Sequence, residues 1–197
     1  MKLVYMLGKS ASGKDTVYKK LREDYGDVLW PMIPYTTRPM REGEKEGDQY
    51  HFITMEQSDE LERQGKVIEK RVYQTVFGPW KYLTIDEGQT RTDGAYLMIG
   101  TLESFCKIRD YYGKEAMIPV YLEVEDGLRL ERAMARERMQ QTPKYAEMCR
   151  RFLADEADFA EENMKKAGIE KRFENVDMEA CVKEIEAYLA GYGIIPG

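Results

Sequence analysis

The chain has 197 residues, 43% of them hydrophobic and 11% aromatic, enough to bury the core of one domain carrying an insertion or two. With 34% charged residues and a formal net charge of -6, the surface as a whole repels nucleic acid and anionic membranes, so only a local cluster of basic residues could serve an anion. Three scattered cysteines, Cys106, Cys149 and Cys181, exclude a disulfide framework and a CxxC metal site, and no apolar run resembles a signal peptide or a membrane span; a soluble protein of the reducing cytoplasm is expected.

Leu3 to Leu7 form a continuous apolar run, the pattern of a strand buried on both faces. Val17, Leu21 and Tyr25 then recur four apart, as on one helix face. Between them stands Gly8-Lys9-Ser10-Ala11-Ser12-Gly13-Lys14-Asp15-Thr16. Its Gly-x4-Gly-Lys spacing is that of a Walker A loop, in which glycines let backbone N–H groups converge on phosphate oxygens at a helix N-terminus while the lysine reaches the terminal phosphates. The strand before and the helix after are what give the pattern weight. Asp15 occupies the place of the usual hydroxyl, so either Thr16 supplies the hydroxyl for Mg2+, or the Asp15 carboxylate itself sits near the ion.

Residues 34–93 read as an inserted small domain: polar, rich in turn residues, with short β-like pieces at 50–54, 67–73 and 76–83. Within it Thr36-Thr37-Arg38-Pro39-Met40-Arg41-Glu42-Gly43-Glu44, followed by Gly47-Asp48-Gln49-Tyr50-His51-Phe52, concentrates two arginines and a phenol in an acidic protein. Arginine forks match phosphate oxygens bidentately, and Tyr50 adds a neutral donor. His51, the only histidine, has a structural reading between two aromatic residues.

Apolar runs return at 96–99 and 117–124, each followed by a helical pattern, at 101–112 and 127–140. Strands alternating with helices imply a parallel sheet covered on both faces. Residues 126–167 read as a second insertion of two charged helices meeting at Thr142-Pro143, a cap followed by proline at the first helical position. Arg132 and Arg136 share a face four apart, Arg150 and Arg151 follow on the next helix, and Arg129, Arg138 and Arg150 have a surface reading. A last helix is expected over 177–190.

The run "YTTRPMREGEKEGDQYHF", with the phosphate loop upstream, resembles the signature of guanylate kinases, and weaker echoes continue to about residue 190. The resemblance implies an α/β, three-layer P-loop kinase fold with a central parallel sheet (1–33, 94–125 and 168–197), an acceptor-binding insertion (34–93) and a helical lid (126–167). It implies transfer of the γ-phosphoryl of ATP, with Mg2+, to GMP, by a monomer or homodimer acting on small-molecule nucleotides. Carried over by position, Gly8, Ser10 to Thr16 and Asn175 would bind ATP; Arg38, Arg41, Tyr50, Glu69 and Phe77 would bind GMP; Lys14, Arg132, Arg136 and Arg151 would act on the transferring group.

The chain also departs from the family pattern. Phe77-Gly78-Pro79 stands for Tyr-Gly-Ser/Thr, Pro34 for a base-contacting serine, and Leu97-Met98-Ile99-Gly100 for Leu-Asp-Ile-Asp, so two carboxylates that serve metal and guanine are missing. Asp15 would restore one carboxylate on the loop side. A different acceptor nucleotide, or a non-catalytic binding module of the same fold, are the alternative readings.

Overall fold

The computed structural model describes residues 1–197 apart from 42, 76 and 87–93. The N-terminal apolar run is β1 (Lys2–Gly8), followed across the glycine turn by α1 (Lys14–Tyr25) and β2 (Leu29–Pro31). Then come β3 (Tyr35–Thr36), β4 (His51–Phe52), α2 (Met55–Arg63) and a hairpin of β5 (Val67–Thr75) and β6 (Gly78–Ile85). β7 (Ala95–Ile99), α3 (Leu102–Tyr112) and β8 (Met117–Glu123) follow. The chain continues through α4 (Asp126–Arg138), α5 (Tyr145–Asp158), α6 (Glu161–Ala167), β9 (Arg172–Glu174) and α7 (Met178–Gly191).

The main sheet has the order β2-β7-β1-β8-β9 with every neighbouring pair parallel, as the alternating strand and helix patterns require. Successive residues of β1 point to opposite faces. Val4 and Met6 pack with Val17 and Leu21 of α1 and with Val182, Ile185 and Leu189 of α7. Leu3, Tyr5 and Leu7 pack with Phe105 and Ile108 of α3 and with Met164 and Ala167 of α6. Each such side chain, taken fully out of water, contributes about 1.5–3 kcal/mol, so the two clusters hold helices on both faces of the sheet and make three layers.

After β1 the chain leaves through α1 toward one edge of the sheet; after β8 it leaves through α4 to α6 toward the other. The C-terminal ends of two adjacent strands therefore open a crevice, the place where open parallel sheets bind ligands.

The 34–93 segment builds a second sheet, β4-β3-β6-β5, in which β3 and β4 are parallel and the other pairs antiparallel. The β-like pieces expected there are strands, except that Val76 and residues 87–93, at the ends of two expected stretches, lie outside the described residues, as does Glu42. A bulge between Val67 and Glu69 sets Glu69 opposite Thr84.

Two expectations are corrected. The helix expected to start at Thr142-Pro143 begins at Tyr145, because the Glu137 carboxylate, reaching from the end of α4, accepts the Lys144 N–H at 2.9 Å and does the capping work. The charged stretch beyond Asp158 is a separate helix, α6, closed by Gly168 in the left-handed conformation (φ 73). Among the described residues no helix is long and apolar enough to cross a membrane.

Candidate active site

The glycine loop is built from backbone that side chains would obstruct. A Cβ at Gly8 would lie 2.5 Å from Ser12 Oγ and 3.0 Å from the Leu122 carbonyl. Ala11 (φ 62) and Gly13 (φ 85) both take the left-handed conformation, which turns consecutive N–H groups inward as an anion nest at the start of α1. Behind the nest, buried Asn175 donates from Nδ2 to the Ser12 carbonyl at 2.8 Å. Its Oδ1 and Ser12 Oγ are buried with no hydrogen-bond partner among the described residues. Asn175, expected to bind ATP, thus has its amide under the glycine loop.

Lys14 opens α1, half-buried, and no ion pair to it is found among the described residues. Asp15 and Thr16 are exposed on the same first turn, and Asp15 faces the cavity described below.

The loop is anchored by the ends of α4 and α5 that lie next to it. Lys9 Nζ lies 2.7 Å from both oxygens of Glu156, and the Ser10 N–H donates to Asp155 at 2.7 Å. Arg129, expected on the surface, is 1% exposed: its guanidinium bonds Asp126 at 2.7 Å and Glu156 at 2.5 Å, donates to the Ser10 carbonyl at 3.3 Å, and stacks over Phe152. The surface expectation fails because the first turn of α4 faces α5 and the loop, where Asp126, Asp155 and Glu156 converge on the guanidinium and two of them also pair with Lys9.

From Asp15 a cavity of about 920 Å3 extends between α1, the second sheet and α5. On its insertion side, Arg38 is 4% exposed and forks onto Glu44 at 2.7 and 2.6 Å, with its guanidinium over the rings of Tyr50 and Phe52. Arg38 holds the Glu44 carboxyl below its ordinary range, and burial raises the Tyr50 phenol. Arg41 is exposed and lines the cavity beside Tyr50, and its backbone N–H bonds Glu44 at 2.8 Å. His51 bonds Glu46 at 2.8 Å and is not among the residues lining the cavity, in keeping with its structural reading.

On the α5 side, Arg150 grips Glu147 at 2.7 Å through two nitrogens and Arg151 reaches the same carboxylate at 3.2 Å; all three line the cavity. Arg150 had a surface reading, yet it borders the cavity beside Arg151. Arg132 instead donates to the Asn175 and Val176 carbonyls at 2.9 and 3.3 Å, steadying the turn after β9. Arg136 is exposed, with no ion-pair partner among the described residues.

At the far end, Glu69 is buried. It accepts from Thr84 Oγ1 at 3.0 Å and is forked by Arg71 through Nε and one terminal nitrogen, both at 3.2 Å. Phe77 is 82% exposed on the β5–β6 turn, stacked on Trp80, and is not among the lining residues; Tyr73 and Tyr82, whose rings meet edge to face, are. Sequence reasoning missed Arg71. The signal was available: in a strand residues i and i+2 share a face, so placing Glu69 at the base pocket points to Arg71 and Tyr73 as well.

The missing carboxylate at Gly100 also has a structural cause. The Tyr5 hydroxyl, 2.5 Å from Ser104 Oγ, fills the space a side chain there would enter: a Cβ on Gly100 would overlap the hydroxyl and stand 2.7 Å from Tyr5 Cζ and 2.9 Å from Ser104 Oγ. Met98, the other substituted position, is buried in the core cluster of the α3 face.

A phosphate loop facing an arginine-lined cavity across a small inserted sheet is matched by comparison with known proteins. The guanylate kinase family model matches residues 1–191. The chain belongs to the guanylate kinase family. Among curated relatives, the guanylate kinase of Schizosaccharomyces pombe is 41% identical over 73 residues, which is 37% of this chain and 36% of that protein. That of Campylobacter jejuni is 50% identical over 50 residues, 25% of this chain and 24% of the relative. The matched stretches thus span about a third or less of those relatives' length. The crystal structure of guanylate kinase from Anaplasma phagocytophilum superposes with a TM-score of 0.58 at 22% identity, covering all of this chain and 87% of that one, a likeness of fold. This chain carries the glycine loop and the Arg38, Arg41 and Tyr50 cluster, and has Leu97-Met98-Ile99-Gly100 where the family pattern has Leu-Asp-Ile-Asp.

Proposed function

We propose that this chain is a nucleoside monophosphate kinase that transfers the γ-phosphoryl of Mg·ATP to GMP, yielding ADP and GDP. The observation that carries the reading is the continuity of the site: the cavity runs from Asp15, at the helix start beside Lys14, to Arg38, Arg41 and Tyr50. A donor phosphate in the nest, next to Asp15, would face an acceptor phosphate held on the arginines of that cavity.

Positioning and charge neutralisation do the chemistry. The amides of Ala11, Gly13, Lys14 and Asp15, which the loop's internal bonds leave over, and the Lys14 ammonium hold the donor phosphates, and Arg38, Arg41 and Tyr50 hold the acceptor's. The unpartnered Ser12 hydroxyl, an O–H donor, and the crowding around Gly8 fit a loop shaped for a phosphate rather than for side chains. Mg2+ fits the same turn, with Thr16 and Asp15 as its candidate protein ligands; when bound, it neutralises charge on the donor phosphates. The Arg38–Glu44 fork must open for the acceptor phosphate, and the Glu147 pair keeps Arg150 and Arg151 at the cavity edge. The exposed Glu147 pair is worth about 0–1 kcal/mol, so a phosphate displaces it from Arg150 and Arg151 readily. Arg132 and Arg136, on α4, complete the lid over 126–167, whose closure over the insertion at 34–93 excludes water and limits ATP hydrolysis. The enzyme works on small-molecule nucleotides in the cytoplasm, as a monomer or homodimer.

The test is a panel of nucleoside monophosphates with Mg·ATP, with Lys14→Ala as control. GMP phosphorylation lost in the control, with the thermal unfolding midpoint retained, is the expected result. A Lys14→Ala variant as active as the parent refutes the assignment of the loop.

A further inference from the structure

The far end of the acceptor cavity is walled by an arginine where a guanine would need a carboxylate. Guanine offers N1–H and the 2-amino group on this edge, both donors, which call for acceptors. Glu69 is the carboxylate the family resemblance assigns to them. Its side chain is completely buried, its two oxygens are forked by Arg71, and one of them also accepts from Thr84. Arg71 lines the cavity and Glu69 does not. The surface that meets the base is therefore guanidinium, not carboxylate.

Arg71 is also fixed in place. Its remaining terminal nitrogen donates to Thr101 Oγ1 at 3.3 Å; Thr101 bonds Ser104 at 3.2 Å; Ser104 bonds the buried Tyr5 hydroxyl. The Tyr82 ring lies 5.9 Å from the guanidinium carbon. Of five guanidinium N–H groups, the two on Glu69 and the one on Thr101 leave two donors. No second carboxylate offsets them at the end of β7, where Met98 is buried in the core and Gly100 is closed off by Tyr5.

From this geometry, and resting on the kinase reading above, we propose that Arg71 is the specificity-determining residue of the acceptor pocket, and that the pocket takes a 2-oxo purine nucleotide, xanthosine monophosphate, at least as well as GMP. A 2-oxo group accepts from Arg71 where a 2-amino group would set donor against donor. The xanthine ring also loses a proton near neutral pH, which suits a guanidinium. Sites built around a buried polar partner reject the mismatched analogue by up to about 10^4-fold, so even a partial effect is readable.

The experiment is the ratio of kcat/KM for xanthosine monophosphate and GMP with Mg·ATP, in the parent and in Arg71→Ala, with dissociation constants for both nucleotides from calorimetry. The parent is expected to show a ratio of one or more. Arg71→Ala, which exposes Glu69, is expected to shift the ratio toward GMP by about tenfold or more, mainly through KM. A parent that prefers GMP by more than about twofold, or an Arg71→Ala ratio within about twofold of the parent's, overturns the proposal. If Arg71→Ala does not fold, Arg71→Gln and the parent's own ratio decide. If the parent binds both nucleotides but phosphorylates neither, the kinase reading fails, and the ratio of dissociation constants judges Arg71 by the same limits; binding of neither overturns both.

Discussion

Restoring the family's carboxylate at position 100 should damage this protein rather than improve it. A side chain there meets the Tyr5 hydroxyl, which belongs to a fully buried ring in contact with Phe105 and hydrogen-bonded to Ser104. The ring cannot swing aside as a flexible surface group would. Forcing extra atoms into a packed core costs about 1–3 kcal/mol. Breaking the Tyr5–Ser104 bond and leaving buried polar atoms unpaired adds about 1–3 kcal/mol. Gly100→Ala should therefore lose about 2–6 kcal/mol, and Gly100→Asp, with the larger side chain, at least as much. In a domain of this size that is a fall of about 10 °C in the thermal unfolding midpoint. The decisive measurement is a double-mutant cycle by denaturant unfolding. In a Tyr5→Leu background the overlapping atoms are gone, so Gly100→Ala should cost much less than it does in the parent. An equal cost in both backgrounds refutes the steric argument, and an undiminished midpoint for Gly100→Asp refutes it more directly.

If Asp15 stands by the metal, Asp15→Ser should raise the Mg2+ concentration needed for half-maximal phosphoryl transfer by about tenfold, with the unfolding midpoint little changed; an unchanged Mg2+ requirement assigns the metal to Thr16 alone. The pairing of Glu147 with Arg150 and Arg151 is tested by pH. Hydrogen bonds with Arg150, reinforced by Arg151, lower the Glu147 carboxyl from 4.5 to about 2. A depressed carboxylate contributes stability above its unfolded value, and that contribution disappears as pH falls through the folded one. The stability gap between the parent and Glu147→Gln should accordingly be constant above pH 4.5 and close toward pH 2. It should be small throughout because the pair is exposed, and a gap that does not change with pH over that range removes the pairing from the account.

The parts of the site that were legible in the sequence are those made by neighbours in the chain. Gly8 to Thr16 act through their own backbone, and the flanking strand and helix announce themselves because a strand buried on both faces must be apolar throughout. Arg38, Arg41 and Tyr50 cluster in one turn-rich stretch for the same reason. Other features were not legible. The buried state of Arg129 depends on Asp155 and Glu156, which α5 brings back to the loop, while the start of α5 depends on Glu137 rather than on the local Thr142-Pro143 signal.

The sequence by itself determined the fold class, the phosphate loop and the family, because spacing and apolar periodicity are local properties of a chain. Only the tertiary structure decided which side chains face the cavity between α1, the second sheet and α5. The parallel register sets Tyr5 beside Met98 and so brings its hydroxyl to Gly100, and the β5–β6 pairing buries Glu69 against Thr84 with Arg71 over it. These contacts join residues far apart in the chain, and their chemistry depends on which atoms are covered and which are left facing the cavity.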